Sequence, residues 1–259
     1  RALFRRVMRS LDAGGPLQSI LLAGIGGGAA IYLAGSSLPA GFQVLVWTGL
    51  ANTALVTVGG LTLGIVLGLL QVGGLASRVR ALRLLSTASI AAGRAVPLVC
   101  SLLLAYWVPP LLGLDVPALW CAVLAIGFVE AGYLAAILDG LRQVVASRYR
   151  DAAYMLGLPP ADWRRRILLP QVLRLAMPHL TNFAVYTIKA SSLAWFISVQ
   201  DLTQVVRVIS TATADPVGAY AILFATYLLA GAILTFAGQA LEARLARSMP
   251  VEAAGFRDA

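Results

Sequence analysis

Three ionisable residues, Arg94, Glu130 and Lys189, stand inside long apolar segments of the chain. A charge at the centre of a membrane-spanning helix costs about 2.5–3.5 kcal/mol on insertion scales, so these side chains are expected to face protein or water. Lys189 lies roughly 16 Å along a helix from Pro178, which is near mid-membrane depth. Glu130 is similarly deep. Opposite charges at this depth could hold the carboxylate and the ammonium group of a zwitterionic solute.

Neutral polar residues accompany these charges and complete a predicted solute path. They are Asn182, Tyr133, Ser191 and Ser192. A structural alternative stays open, in which Glu130 pairs with Arg94 or Lys189 only to neutralise a buried charge. The two hypotheses differ in whether the charged groups are free to meet a solute.

The composition predicts an all-α integral membrane protein. Of the 259 residues, 59% are apolar and 12% charged, whereas soluble domains carry about 25% charged residues. The apolar runs are long enough for helical spans and about twice as long as the strands of a membrane barrel. About six spans are expected, at about 17–37, 45–71, 86–107, 117–138, 175–197 and 217–239.

The distribution of cations predicts the orientation of these spans. Segments 1–16, 72–85, 139–174 and 240–259 hold 17 of the 20 cations, whereas the opposite set of connections holds only Arg207. By the positive-inside rule both termini and the loop 139–174 are cytoplasmic. The net charge of +9 therefore reports topology and not nucleic-acid binding. A signal peptide is the alternative reading of the first span.

Gly60, Gly64 and Gly68 repeat at four-residue spacing within the second predicted span. This spacing gives one helix face without side chains, where a neighbouring helix can approach closely.

The loop 139–174 contains a patterned segment around Asp151 and Gly157. The pattern predicts a short helix that Gly157 caps and that Pro159-Pro160 cannot continue, followed by a second helix from Pro160. A short apolar-faced helix in a basic loop suits docking of another protein. The alternative is a plain, solvated basic connector.

The spacing of this segment resembles the cytoplasmic signature of permease subunits of ATP-binding-cassette importers, written EAA, three residues, G, nine residues, I-x-L-P. Asp151 stands in for the usual Glu. The matching positions are Ala152, Ala153, Gly157, Ile167, Leu169 and Pro170.

The resemblance covers about 200 residues and is closest to the polar amino acid branch. Further matching stretches are Gly49 to Leu55, Arg94 to Leu98, Ile188 to Leu193 and Asp201 to Thr203. The chain departs from the family pattern at Ala136, Asp139, Arg148-Tyr149 and Ala190.

The resemblance implies one additional N-terminal helix (1–44), a five-helix importer core (45–240, with coupling loop 139–174) and a cytoplasmic tail (241–259). It implies a bacterial inner-membrane location, P-loop ATPase subunits, a second permease subunit, same or different, and an external solute-binding protein. Coupling to the ATPase is then expected at Asp151, Ala152, Ala153, Leu156, Gly157, Ile167 and Pro170.

Enzymatic functions find little support in the sequence. The only lysine, Lys189, is not in a P-loop, and the only histidine, His179, cannot form a zinc-binding pair. We therefore expect no cofactor in this chain, with ATP and Mg on the partner ATPase. An ion-coupled secondary transporter with Glu130 as proton carrier is the rival hypothesis, and a membrane scaffold is a third.

Overall fold

The computed structural model describes residues 40–248, so the predicted first span at 17–37 lies outside the described residues. Within that range the chain is helical and has no strand, which confirms the all-α prediction. The helices are α1 (Ala40–Leu75), α2 (Arg80–Ala95), α3 (Leu98–Leu111), α4 (Ala118–Met155), α5 (Pro160–Asp162), α6 (Leu169–Ser191), α7 (Leu202–Thr213) and α8 (Pro216–Ser248).

Three of the described helices are long and apolar enough to cross a membrane, and a fourth crossing results if α2 and α3 form one bent span. The three are α1, α4 and α8. The predicted span at 175–197 corresponds to α6, which is long enough but carries polar residues such as Asn182 and Lys189. Its composition suits a helix that meets water or protein along part of its surface.

The predicted single span at 86–107 is broken in the structure. Helices α2 and α3 meet at an angle of 111° across Val96 and Pro97. Proline lacks an N–H and forces the preceding residue into an extended conformation, as the Val96 angles of φ −85° and ψ 127° show. The Tyr133 hydroxyl donates a hydrogen bond of 3.4 Å to the Arg94 carbonyl, one of the groups left open at this helix end.

Helix α4 is the central element of the bundle, since α1, α2, α3 and α6 all pack against it. In the most apolar 18-residue stretch of α4, 72% of the residues are buried, compared with 33% in that of α1 and 6% in that of α8. A core cluster that includes Val56, Leu102 and Ile126 joins α1, α3 and α4. A second cluster joins α4 to α6 through Leu134 and Phe183.

The predicted glycine face of α1 lies directly on α4, which confirms the close approach. A Cβ atom at Gly60 would lie 2.9 Å from Ile126 Cγ2. The corresponding distance at Gly64 is 3.1 Å to the Glu130 Cβ, and at Gly68 it is 3.2 Å to Leu134 Cδ2. Glycine allows this close approach, because a side chain at any of the three positions would crowd α4 and force its side chains to shift.

One boundary predicted from the sequence is wrong. The segment from Asp151 to Met155 is the last turn of α4 and not a separate short helix, because no glycine or proline between 141 and 155 interrupts α4. Most of the predicted loop 139–174 is consequently helical, and only residues 156–159 form a turn. The predicted tail 241–259 begins as a helix, because α8 continues to Ser248.

The change Gly64→Leu should destabilise the folded protein by about 1–3 kcal/mol or more, because the new side chain collides with α4. Gly73→Leu in the same helix is the matched control, since nothing lies within 4 Å of a Cβ at Gly73. Thermal unfolding of both variants in detergent measures the difference. Equal melting temperatures for the two variants would contradict the packing derived for α1 and α4.

Candidate functional site

Glu130 lies at the junction of α1, α4 and α6 and is 1% exposed. Its Oε1 atom accepts a hydrogen bond of 2.6 Å from the Thr187 hydroxyl, which also lies 2.8 Å from the Phe183 carbonyl oxygen. Its Oε2 atom has no hydrogen-bond partner among the described residues. The carboxyl group thus joins α4 to α6 within an otherwise apolar contact.

The ion pairs considered for Glu130 are absent from the described part of the chain. Ion pairs in that part of the chain include Arg142 with Asp139 and Arg166 with Asp162. The structural alternative, a pair between Glu130 and Arg94 or Lys189, is therefore wrong. The geometry of α6 explains this: Thr187 faces Glu130, and Lys189 follows two residues later, about 200° around the helix axis.

Lys189 instead belongs to a line of exposed side chains on α6. Asn182, Tyr186 and Lys189 are all exposed and follow each other at spacings of four and three residues, which places them on one helix face. Tyr133, on the neighbouring helix α4, is exposed as well. We call Tyr133, Asn182, Tyr186 and Lys189 the polar stripe.

The two serines of the predicted path are directed to their own helix. Ser191 is fully buried and donates to the Ile188 carbonyl at 2.7 Å, and Ser192 donates to the Lys189 carbonyl at 2.6 Å. Neither hydroxyl joins the exposed stripe. The sequence reasoning missed Tyr186, although its helical spacing from Asn182 and Lys189 was a usable signal.

A second polar contact, also missed, joins the first half of α1 to the start of α7. The Asn52 side chain donates to the Gln200 carbonyl at 3.0 Å, and the Leu202 N–H donates to the Thr53 hydroxyl at 3.0 Å. Asp201 caps α7 by accepting from the Gln204 N–H at 2.9 Å. Burial raises the pKa of the Asp201 carboxyl to about 6, against the lowering effect of this hydrogen bond.

The turn between α4 and α5 has an apolar, exposed tip. Gly157 adopts a φ of +67°, the left-handed conformation expected of a helix C-cap. Met155 and Leu156 beside it are 92% and 78% exposed. Asp151 and Ala152 are exposed as well, whereas Ala153 is buried.

The second half of this hairpin runs without a break from α5 through a π-helical segment, Trp163–Leu168, into α6. Trp163 is buried, and the π-helical segment packs on α4. Ile167 and Pro170 are half-buried. The structure therefore brings the predicted coupling residues together in one hairpin at the end of α4.

A bundle of apolar helices with the polar stripe along one side and an exposed hairpin at one end is a helical membrane protein that crosses the bilayer several times. Residues 60–247 match the family described as "Binding-protein-dependent transport system inner membrane component". Because this match covers more than half of the chain, the chain belongs to that family. It is thus a multi-pass protein of the inner membrane.

Several characterised or named proteins are similar in sequence. The arginine transport system permease protein ArtQ of Bacillus subtilis is 29% identical over 72% of this chain and 84% of its own length. A probable amino-acid ABC transporter permease protein of the same organism, YckA, is 32% identical over 62% of this chain and 71% of its length. The octopine transport system permease protein OccQ of Rhizobium meliloti is 31% identical over 81% of this chain and 91% of its own length.

Solved structures agree with the fold. The crystal structure of an amino acid ABC transporter with histidines superposes with a TM-score of 0.71 and 26% identity, covering 80% of this chain and 95% of that chain. An inward-facing MetNI methionine ABC transporter gives a TM-score of 0.60 at 17% identity, and the superposition covers 80% of this chain and 99% of that chain. The second likeness concerns the fold alone.

The change Thr187→Val should lower the melting temperature by several degrees, because it leaves the buried Glu130 carboxyl without its donor, at a cost of about 1–3 kcal/mol. Thr226→Val is the matched control, since that hydroxyl donates only to Ile222 in its own helix, at 2.8 Å. Thermal unfolding in detergent compares the two. An equal effect of both changes would show that the contact between Glu130 and Thr187 does not stabilise the bundle.

Proposed function

We propose that this chain is the membrane-spanning permease subunit of an ATP-driven importer for polar amino acids. The observation that carries the proposal is the polar stripe, which exposes Lys189 and Asn182 on a helix inside the apolar bundle. A lysine at this depth is costly in lipid. Water in a solute path, or a second permease subunit, is the environment that satisfies it.

The family membership and the names of the relatives support an amino acid as the solute. An amino acid has a carboxylate, for which the exposed Lys189 ammonium is a suitable partner. Asn182 and Tyr186 offer neutral hydrogen-bonding groups on the same face. Glu130 is enclosed between helices in this conformation, so we assign it to the bundle and not to the surface that a solute meets.

The hairpin between α4 and α6 is proposed as the contact for a P-loop ATPase subunit. Its exposed Met155 and Leu156 form an apolar tip flanked by basic residues, which suits a groove on a protein partner. The basic segments around it favour a cytoplasmic position for the hairpin and for both termini. A second permease subunit, same or different, and an external solute-binding protein complete the proposed assembly.

The rival hypothesis of an ion-coupled secondary transporter has no observation in its favour. The family belongs to binding-protein-dependent systems, and Glu130 is closed off from the exposed surface. Affinity purification from the native membrane decides between the two. A P-loop ATPase that co-purifies, with ATP-dependent amino acid uptake by the reconstituted complex, is the expected result; uptake driven by an ion gradient without any ATPase would overturn the proposal.

The change Gly157→Val should reduce ATPase co-purification or uncouple hydrolysis from uptake, because a β-branched residue is strained at positive φ. Gly113→Val is the matched control, since Gly113 also has a positive φ of +75° and no neighbour within 4 Å of a Cβ, but lies in the turn after α3. ATPase co-purification and the coupling of hydrolysis to uptake should both stay near their wild-type values in the Gly113→Val control. Normal coupling in Gly157→Val would leave the hairpin as a plain basic connector.

The change Lys189→Met should lower amino acid uptake at least about tenfold, because a charge-assisted hydrogen bond to the solute carboxylate is lost. Assembly and basal ATP hydrolysis should remain. Lys189→Arg, which keeps the cation, should restore part of the uptake. A Lys189→Met complex that assembles and transports normally would remove Lys189 from the solute path.

A further inference from the structure

A cavity of about 400 Å³ opens between α2 and α4, next to the end of α1. Its polar walls are formed by Thr87, Arg94, Asp139 and Gln143, and small residues at Ala136 and Gly140 make room for it. The volume falls within the roughly 300–1,000 Å³ that is usual for small-molecule sites. The cavity differs from the polar stripe, because none of the four stripe residues lines it.

Arg94 supplies an available cation to this cavity. Its side chain is exposed, and within the described residues its guanidinium forms neither an ion pair nor a recorded hydrogen bond. The residue belongs to the last turn of α2, and helical side chains lean toward the N-terminus of their helix. Arg94 lines the cavity together with Thr87, which lies two turns nearer the N-terminus of α2, so we expect the guanidinium to lie toward the hairpin end of the bundle.

Asp139 supplies a carboxylate that is held in a fixed position. Its Oδ1 atom accepts from the Arg142 Nη2 atom at 2.7 Å and from the Arg142 Nε atom at 3.0 Å, and its Oδ2 atom accepts from the Gln143 side-chain nitrogen at 2.7 Å. Arg142 is not part of the cavity wall. Because a carboxylate has about four acceptor positions, one position on Oδ2 is left to accept from an ammonium group inside the cavity.

The cavity continues the polar stripe toward the hairpin end. Tyr133, the stripe residue on α4, donates to the Arg94 carbonyl. Along α4, Asp139 lies roughly 14 Å beyond Glu130 in the direction of the hairpin. A solute that moves along the exposed stripe would therefore reach Arg94 and Asp139 after it passes Tyr133.

We propose that this cavity is a second, inner subsite for the transported amino acid. The Arg94 guanidinium binds the α-carboxylate, and Asp139 accepts a hydrogen bond from the α-ammonium group. The proposal rests on the proposed function, because it takes an amino acid as the solute. It adds a release site at the hairpin end, where the solute leaves the stripe.

The test uses the complete complex in nanodiscs without the solute-binding protein. The probe is the radiolabelled L-amino acid, among the twenty, that the wild-type complex takes up best. Binding is measured in a Lys189→Met background, so that the cavity is observed without the cation of the stripe. We expect residual binding that Arg94→Met weakens at least about tenfold, the loss of one charge-assisted hydrogen bond.

Further variants separate recognition from a general defect. Ala136→Glu places a carboxylate in the cavity next to Arg94 and should weaken binding by a similar factor. Arg83→Met, another cation of α2 that does not line the cavity, should change binding less than about twofold. A second probe is the amine that remains when the carboxyl group of the same amino acid is removed. It should bind the Lys189→Met complex as weakly as the amino acid itself binds the double variant Lys189→Met, Arg94→Met.

The outcomes distinguish this inference from the proposed function. Wild-type uptake together with equal binding in the Arg94→Met, Ala136→Glu and Arg83→Met variants would overturn the inner subsite and leave the permease assignment intact. Loss of all binding in the Lys189→Met background alone would also overturn it. A wild-type complex that neither takes up nor binds any of the twenty amino acids would overturn both.

Discussion

The close contact of α1 with α4 is the constraint on which the rest of the bundle depends. Because Gly60, Gly64 and Gly68 carry no side chains, the backbone of α1 lies against the side chains of α4. In a lipid environment such packing, and not hydrophobic exclusion, holds helices together. The same contact leaves the space that the Glu130 carboxyl occupies, since a Cβ at Gly64 would lie 3.3 Å from its Oε2.

The helices packed around α4 determine which surfaces of the bundle stay exposed to a solute. With its neighbours covering Glu130 and the first half of α4, residues 118–138 of this helix contribute few exposed side chains, among them Tyr133. The polar groups that a solute can meet must then lie on the outward face of α6 and at the broken junction of α2 with α3. The break at Pro97 serves this arrangement, because it ends α2 at Ala95 and leaves the Arg94 carbonyl open to accept from Tyr133.

The sequence predicted the class of fold, the glycine face and the left-handed Gly157, because each follows from local pattern or from backbone sterics. It could not predict which way Glu130 faces, since burial of one polar side chain depends on how three helices pack. Hydropathy alone merged α2 with α3, because Pro97 lies within an apolar run. The pattern around Asp151 predicts where the helix ends, at Gly157 and Pro159-Pro160, but nothing in it shows that the helix starts as far back as Ala118. The contact of Asn52 and Thr53 with residues 200–202 was missed because it spans about 150 residues.

The unbroken length of α4 has a mechanical consequence for the proposed coupling. The helix runs from Ala118 to Met155, 38 residues or roughly 57 Å, and includes Tyr133, Asp139 and the first residues of the hairpin. No flexible loop separates the hairpin tip from the residues beside the solute path. A displacement of the tip by a partner must therefore move α4 as a rod, and with it the walls of both the stripe and the cavity. The Leu63 side chain of α1 packs on Gly127 of α4, where a Cβ would lie 2.8 Å from the Leu63 Cβ. The two helices therefore interlock, and α1 is expected to follow such a movement of α4.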